Sequence, residues 1–142
     1  MEKKGEHPYL GIIINYDRDK KLDKFSLDTL QDRYLWQNET SPQEAFARAS
    51  VFVSTFKEET DFDMAQRIYN YVSNLWFMFS TPILSNGGTT RGLPISCFLN
   101  YVPDNREGLS SHYDENIWLA SSGGGIGGYW GDVRSDGIPT SN

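Results

Sequence analysis

Cysteine is the scarcest reactive residue in this chain, since Cys97 is the only one among 142 residues. A single thiol cannot form a disulfide within the chain, so the fold has to be stable without a covalent cross-link. This usage fits a reducing compartment, and we expect the protein in the cytoplasm.

Basic charge is also low. Thirteen Lys and Arg residues oppose 19 Asp and Glu residues, which gives a formal net charge of −6 and a pI near 4.8. Proteins that bind nucleic acids need clustered cations to displace the counterions of the phosphate backbone, and the sequence contains no basic stripe. We therefore expect no nucleic-acid partner.

Long apolar runs are missing as well. The longest, residues 10–14 and 75–79, are far shorter than the roughly 20 residues that a membrane helix needs. Residues 1–4 lead into polar and charged residues rather than into the apolar region of a signal peptide, so we expect no membrane association. The two histidines, His7 and His112, are too isolated to predict a metal site, and we interpret both as surface or helix-face residues.

Apolar and aromatic residues, in contrast, are plentiful. The chain is 38% hydrophobic and 14% aromatic, which is enough for a domain with a core and too much for a disordered segment. A short apolar run at residues 9–16 predicts a strand or a packed N-terminal arm. Residues 26–35 predict a short helix.

Two longer helices follow. Ser41, Pro42 and Glu44 supply an N-cap hydroxyl, a proline at N1 and a glutamate at N3, which predicts a helix start. The apolar positions of this helix are Ala45, Ala49, Phe52, Val53 and Phe56. The next helix is predicted to begin near Thr60 or Asp61 and to stop before Pro82. Its apolar positions are Met64, Ile68, Tyr71, Val72, Leu75 and Phe79, and we expect the two helices to pack together.

The periodicity changes after Pro82. Residues 95–102 predict a buried strand, residues 109–121 a helix and residues 125–131 a second strand, followed by a loop over residues 132–142. Strand, helix and strand in this order begin a parallel α/β arrangement. The predicted inward-facing residues of the helix are Ile117, Leu119 and Ala120. We place the boundary between a mainly helical region, residues 1–79, and an α/β region, residues 80–142.

The α/β region concentrates the reactive groups. Thr81 and Ser96 offer hydroxyls, Cys97 offers a thiol, and the glycines of residues 123–128 offer backbone N–H groups that can approach a phosphate closely. Taken singly, each has a simpler interpretation: a core cysteine, capping hydroxyls and a flexible connector. The glycine spacing also satisfies G-x-G-x-x-G, but this run follows a helical pattern and opens a strand, the reverse of a dinucleotide-binding fingerprint.

Three motifs occur here in a characteristic order: Ser80-Thr81-Pro82, then Ser96-Cys97, then the run Gly-Gly-Gly-Ile-Gly-Gly at residues 123–128. In this order and at these spacings they resemble the catalytic large subunit of ribonucleotide reductase. The resemblance extends from residues 32–35 onward, and the family's subunit is several times longer, so we expect the chain to be its N-terminal part. It implies an α/β fold class, in which an N-terminal helical region precedes the first strand, helix and strand of a ten-stranded α/β barrel.

The resemblance also implies a substrate site. Cys97 matches the redox-active thiol beside the ribose, whose partner cysteine lies elsewhere in the full subunit. Thr81, Ser96 and Gly125 match residues that contact the substrate's diphosphate and ribose. With one cysteine the chain has neither the radical thiol nor the second reducing thiol, so we expect the isolated chain to be inactive.

A second implied site binds an allosteric deoxynucleotide. Asp104, Asn105 and Arg106 match the loop that holds its base and ribose, and Arg134 matches an arginine that reaches its phosphates. By sequence alone the same residues are also typical of solvated loop charges. The family's further downstream arginine has no counterpart in residues 137–142.

The resemblance further implies partners. These are the remaining part of the large subunit, a radical-generating small subunit in class I enzymes, a thioredoxin- or glutaredoxin-type reductant, nucleotide substrates and deoxynucleotide effectors. We expect no cofactor bound by this chain itself, with the radical source, a metallo-cofactor small subunit or adenosylcobalamin, supplied elsewhere. We find no ATP-cone pattern and predict no control of overall activity by ATP. The alternatives are a non-catalytic remnant or interaction module that docks on a partner chain, and an unrelated nucleotide-binding domain.

Overall fold

A β-hairpin opens the part of the chain that the computed structural model describes, residues 4–138. Strand β1 (Glu6–Tyr9) pairs antiparallel with β2 (Ile12–Asn15) through a turn at Leu10 and Gly11, both with positive φ. In β2 the side chains alternate, so Ile12 and Ile14 are buried while Ile13 is exposed. The strand or arm predicted over residues 9–16 is therefore the turn and second strand of a hairpin, and Tyr16 begins a short 3₁₀ helix (Tyr16–Lys21).

Helix α1 (Lys24–Arg33) precedes the central helix, α2 (Pro42–Val53). The predicted capping box is confirmed: the Ser41 hydroxyl accepts from the Gln43 N–H, and the Glu44 carboxylate accepts from the Ser41 N–H at 3.2 Å. Residues 42–50 are buried all around the helix.

The apolar face predicted for α2 is only partly correct. Ala45 and Ala49 are fully buried, but Phe52 and Val53 are 36% and 39% exposed. Phe56 lies beyond the helix and is 75% exposed. The helix is enclosed on all sides over its first turns, so a single apolar face does not describe it.

Beyond α2, a short hairpin leads into α3 (Phe62–Ser73). Its strands, β3 (Thr55–Phe56) and β4 (Glu59–Thr60), have two residues each. Helix α3 packs on α2, as expected. Its buried residues are Ala65, Tyr69, Val72 and Ser73. Val72 is buried as predicted, but Met64 and Tyr71 are exposed, so the predicted face is only partly correct.

Helix α3 also ends earlier than predicted. Leu75 has φ +63°, its N–H bonds the Val72 carbonyl at 2.9 Å, and the Trp76 N–H bonds the Tyr71 carbonyl at 3.1 Å. This pair of bonds is a Schellman motif, which closes the helix at Ser73 without help from Pro82.

Helix α4 (Thr81–Asn86) packs on α2 and completes the first of two compact units, which runs through Pro94. The division therefore falls later than the sequence-based boundary at residues 79 and 80. The reason is that Arg48 of α2 donates to the carbonyls of Leu84 and Gly87, at 3.1 and 2.7 Å. These bonds hold α4 in the first unit.

The second unit begins at Ile95 and contains β5 (Cys97–Tyr101), α5 (Arg106–Ser121) and β6 (Gly125–Tyr129). The two strands pair in parallel, with Cys97 opposite Gly125 and Tyr101 opposite Tyr129, so the predicted order of strand, helix and strand is confirmed. The loop after β6 is described through Ile138; residues 1–3 and 139–142 lie outside the described residues.

The inward-facing residues predicted for α5 are largely wrong, because Ile117 is 68% exposed and Ala120 is also exposed. His112, expected as a surface or helix-face residue, lies on the inward face of α5 and is 5% exposed. The His112 ring packs edge-on against Trp130 at 4.9 Å, and its Nε2 pairs with the Asn116 amide at 2.9 Å. The inward face of α5 is thus occupied by His112 and Asn116, one turn apart.

The result is a mixed helical and sheet structure. None of the helices in residues 4–138 has the length and apolar character needed to cross a membrane.

Candidate functional site

Cys97 lies at the start of β5 and is exposed. The simpler interpretation of a buried core cysteine does not hold in this structure, because the alternation of β5 places Phe98 and Asn100 toward α5, and Cys97 on the other face with Leu99. The Ser96 hydroxyl lies 3.9 Å from the Cys97 Sγ. The two groups that the sequence singled out together therefore stand side by side, with the thiol open to a reactant.

The glycine run forms the neighbouring strand. Gly125 pairs with Cys97 in the parallel register, and its N–H donates to the Ser96 carbonyl at 2.7 Å. A Cβ at Gly125 would meet only that carbonyl, at 3.7 Å, so the space beside this backbone is open. Gly123 has φ +82° and makes the turn out of α5. From Gly125 onward the run is a strand rather than a connector.

Close packing requires Gly124, whereas Gly127 lies against the exposed and flexible Leu99 side chain. A Cβ at Gly124 would lie 2.1 Å from the Phe98 ring, and one at Gly127 would lie 3.0 Å from Leu99. Because glycines carry no side chains, the two strands can approach each other closely. On the exposed face of the sheet, no side chain of the glycine run projects beside Cys97.

At the other end of the strands, Tyr101 and Tyr129 stack with ring centroids 6.1 Å apart. A hydrogen bond to Asp132 raises the pKa of the exposed Tyr101 phenol, and neighbouring carboxylates act in the same direction. Sequence reasoning missed this aromatic pair; the only signal for it was that each tyrosine lies near the end of a predicted strand.

Thr81 belongs to the first unit and opens α4, where it is exposed. Its Oγ1 lies 3.2 Å from the Tyr34 hydroxyl, and its carbonyl accepts from the Ser85 hydroxyl at 2.8 Å. The other predicted substrate contacts, Ser96, Cys97 and Gly125, belong to the second unit.

The predicted effector residues meet only in part. Arg134 and Asp104 form an ion pair at 2.5 Å, with side chains 23% and 27% exposed, and Arg134 also donates to the Asp104 carbonyl at 3.3 Å. Asn105 caps α5 by accepting from the Gly108 N–H at 2.7 Å, and Arg106 is exposed in the first turn. Asp104 and Arg134 are therefore a partly buried pair rather than two separately solvated charges.

Metal-binding groups are not gathered in the described structure: across residues 4–138, no three His, Cys, Asp or Glu side chains are placed to hold an ion.

Comparison with known proteins gives a consistent result. The family model described as "Ribonucleotide reductase, all-alpha domain" matches residues 20–92. The ribonucleoside-diphosphate reductase large subunit of Invertebrate iridescent virus 6 is 45% identical over 116 residues, which are 82% of this chain and 12% of that protein. The ribonucleoside-diphosphate reductase subunit alpha of Helicobacter pylori is 32% identical over 142 residues, covering 96% of this chain and 18% of that protein.

Among solved structures, the class Id ribonucleotide reductase alpha subunit of Actinobacillus ureae matches with a TM-score of 0.68 and 32% identity. The match covers 82% of this chain and 22% of that one. The chain thus spans less than a fifth of the length of these curated relatives.

Proposed function

Because this chain belongs to the ribonucleotide reductase large-subunit family, we propose that it supplies part of the enzyme that reduces ribonucleoside diphosphates to deoxyribonucleotides for DNA synthesis. The proposal includes a cytoplasmic location. Its relatives are enzymes by name, and the activity of this chain depends on a polypeptide that provides the rest of the active site.

One observation carries the proposal: an exposed thiol is paired in register with a glycine backbone. Cys97 faces open space beside Gly125, with the Ser96 hydroxyl 3.9 Å from its sulfur. A sugar can approach such a surface closely because no side chain projects from Gly125. Ser96 then offers a hydrogen bond to a ribose hydroxyl, and Thr81 offers one to the diphosphate.

The proposed chemistry uses Cys97 as one of two reducing thiols. A radical removes the hydrogen from C3′ of the ribose, the C2′–O bond breaks, and the 2′-hydroxyl leaves as water. Two thiols supply two electrons and two protons and become a disulfide, and the hydrogen returns to C3′. Since Cys97 is the only cysteine in these 142 residues, the second thiol and the radical thiol come from the remaining part of the large subunit.

The radical itself originates outside this chain, from a metallo-cofactor small subunit or from adenosylcobalamin. A thioredoxin- or glutaredoxin-type protein then reduces the disulfide. In this proposal β5 and β6 are the first strands of a ten-stranded barrel, and the remaining part of the large subunit supplies the others. The exposed side chain of Leu99, 89% accessible on β5, fits a face that such strands enclose.

We assign the effector site to Asp104, Asn105, Arg106 and Arg134. Asp104, Asn105 and Arg106 hold the base and the deoxyribose of a deoxynucleotide, with Asp104 accepting from the 3′-hydroxyl, while Arg134 offers a planar donor to its phosphates. The ion pair between Asp104 and Arg134 supports this assignment, because it brings a carboxylate and a guanidinium together across 30 residues. When the effector binds, contacts to the nucleotide replace part of the ion pair between Asp104 and Arg134.

The decisive experiment is reconstitution. The chain is mixed with a polypeptide that carries the remaining barrel, together with the radical source and reductant, and deoxynucleotide formation is measured. We expect turnover with the wild-type chain and none above background with Cys97→Ser. Ser111→Ala, an exposed change on α5, is the control and is expected to retain full activity. An inactive wild-type mixture, or a serine variant as active as wild type, contradicts the enzymatic role.

A second candidate is a non-catalytic module that docks on a partner chain. The exposed aromatic and aliphatic side chains of the second unit favour it, since Ile117, Trp118 and Tyr129 are 68%, 69% and 57% accessible. This candidate predicts stable association with the barrel polypeptide and no turnover. Measuring both association and turnover in the reconstituted mixture therefore distinguishes it from the enzymatic role.

A further inference from the structure

We propose that Tyr34 is a positioning residue for Thr81, orienting its hydroxyl as a hydrogen-bond donor to the phosphate of the substrate; this inference rests on the proposed function. The Tyr34 Oη lies 3.2 Å from the Thr81 Oγ1, across 47 residues of sequence. Thr81 is exposed and Tyr34 is half-buried. The Thr81 residue is therefore accessible to a ligand, while its partner Tyr34 is partly packed in the protein.

The segments that carry the two residues are held by one buried guanidinium. Arg48 donates to both carboxylate oxygens of Glu39, at 2.7 and 3.1 Å, and its side chain is 5% exposed. It also donates to the Tyr34 carbonyl at 3.1 Å and, as noted above, to the carbonyls of Leu84 and Gly87. Arginine has five N–H donors, and all five are used. The end of α1 and the end of α4 are therefore fixed to the same group.

The backbone on each side is equally constrained. The Tyr34 N–H bonds the Leu30 carbonyl at 3.0 Å and closes α1, and the Thr81 carbonyl is engaged by the Ser85 hydroxyl. Neither residue can shift far without breaking these bonds. The backbones that carry the two hydroxyls are thus held by the fold, independently of the contact between the side chains.

The direction of the hydrogen bond follows from the chemistry of the ligand. Phosphate oxygens accept hydrogen bonds, so Thr81 must donate its single proton to the phosphate. The Thr81 oxygen is then left to accept, and the phenol of Tyr34 is the nearby donor. A hydroxyl that donates becomes a better acceptor, so this contact, long at 3.2 Å, shortens when phosphate binds.

The test uses inorganic pyrophosphate as the probe, at constant ionic strength, with binding to the full chain followed by NMR through the Thr81 amide. We expect Tyr34→Phe to weaken binding by about fivefold, the factor that one net hydrogen bond supplies. Thr81→Val, which keeps the shape and removes the hydroxyl, is expected to weaken binding by at least as much. Tyr71→Phe removes an exposed phenol hydroxyl from α3 and serves as the matched control.

A double-mutant cycle separates positioning from general stability. In the Thr81→Val background, Tyr34→Phe is expected to have no further effect, while in Thr81→Ser it keeps its fivefold effect. Equal losses from Tyr34→Phe with and without the Thr81 hydroxyl would overturn the inference, as would a wild-type chain whose Thr81 amide does not respond to pyrophosphate. Urea unfolding of each variant checks that the fold is retained.

The outcome is independent of the reductase assay. Pyrophosphate binding that depends on both hydroxyls, without turnover in the reconstituted mixture, contradicts the proposed function and leaves Tyr34 as a positioning residue for an anion. Turnover together with a silent Tyr34→Phe variant contradicts only this inference.

Discussion

Arg48 and Glu39 form the most demanding contact in the first unit, because both side chains are removed from water, at 5% and 4% exposure. Burying a charge is costly unless it is paired and hydrogen-bonded, and this pair is bidentate with every remaining guanidinium N–H satisfied by a carbonyl. The pair joins three segments to α2. Its effect is to select one arrangement of these segments.

Arg48→Met should therefore lower the free energy of unfolding by about 3–5 kcal/mol, since Glu39 is left as a buried charge without its partner. Urea denaturation followed by circular dichroism measures the change. Arg33→Met breaks the exposed pair between Arg33 and Asp32, whose side chains are 76% and 77% accessible, and is expected to change stability by less than about 0.5 kcal/mol. A loss at Arg48 no larger than that at Arg33 would contradict the structural role of the buried pair.

Site residues differ in how far the sequence could specify them. The parallel arrangement of the strands that carry Cys97 and Gly125 was predictable from the order of strand, helix and strand, although their register came from the structure. The bond between Tyr34 and Thr81 was not predictable, since no local pattern records which residues meet across 47 positions. The same holds for His112, because the ring that packs against it belongs to Trp130, a residue that follows β6 in the chain.

At the scale of elements, the hairpin between α2 and α3 has an unusual turn. Lys57 and Glu58 both have positive φ, at 47° and 70°, in the two-residue loop between β3 and β4. Such type I′ turns strongly favour Asn and Gly, because other side chains are strained in the left-handed region. The hairpin is closed around this turn by the Thr55 and Thr60 hydroxyls, 2.8 Å apart, and by the Asp61 N–H, which donates to the Ser54 carbonyl at 2.9 Å.

Glu58→Gly is expected to stabilise the protein by about 0.5–1 kcal/mol, since glycine adopts this conformation without strain and Glu58 is exposed. Glu59→Gly is the matched control: it removes the same side chain one residue later, within β4, and should destabilise the protein by a similar amount. Thermal unfolding monitored by calorimetry distinguishes the two. The interpretation fails if both substitutions shift the melting temperature in the same direction.

The starts of helices were easier to predict from sequence than their C-terminal ends or their buried faces. The Ser41 capping box is a local signal in four consecutive residues, and the structure reproduces it. The end of α3 depends on Leu75 adopting a left-handed conformation, which its residue type does not favour. The faces of α3 and α5 depend on what packs against them, and there the periodicity alone was misleading.

On the scale of the whole molecule, burial is uneven. Helix α2 is enclosed over residues 42–50, and the core around it includes Phe46, Tyr69 and Leu84. In the described part of the second unit, the buried side chains are Val102 and His112. Apolar burial supplies most of the stability of a fold, so the two units should differ in local stability.

Amide hydrogen exchange should show this difference. We expect the slowest exchange in α2 and in the segment of α3 that packs on it, and exchange at least about tenfold faster in β5 and β6, because local opening there exposes few buried side chains. Mass spectrometry of peptic peptides measures both in one sample. Adding the barrel polypeptide is expected to slow exchange in β5 and β6 and to leave α2 unchanged. Equal protection in the two units of the isolated chain would contradict this expectation.

The sequence by itself determined the order of elements, the Ser41 capping box, the parallel arrangement of the two strands of the second unit, and the family to which the motifs point. These features depend on residues close together in the chain, where backbone preference and spacing are sufficient. The tertiary structure decided which faces of α3 and α5 are buried, the burial of His112, and the pairing of Arg48 with Glu39 and of Asp104 with Arg134. Burial and charge pairing are set by contacts between distant segments, and a local pattern carries no information about the distance between such segments.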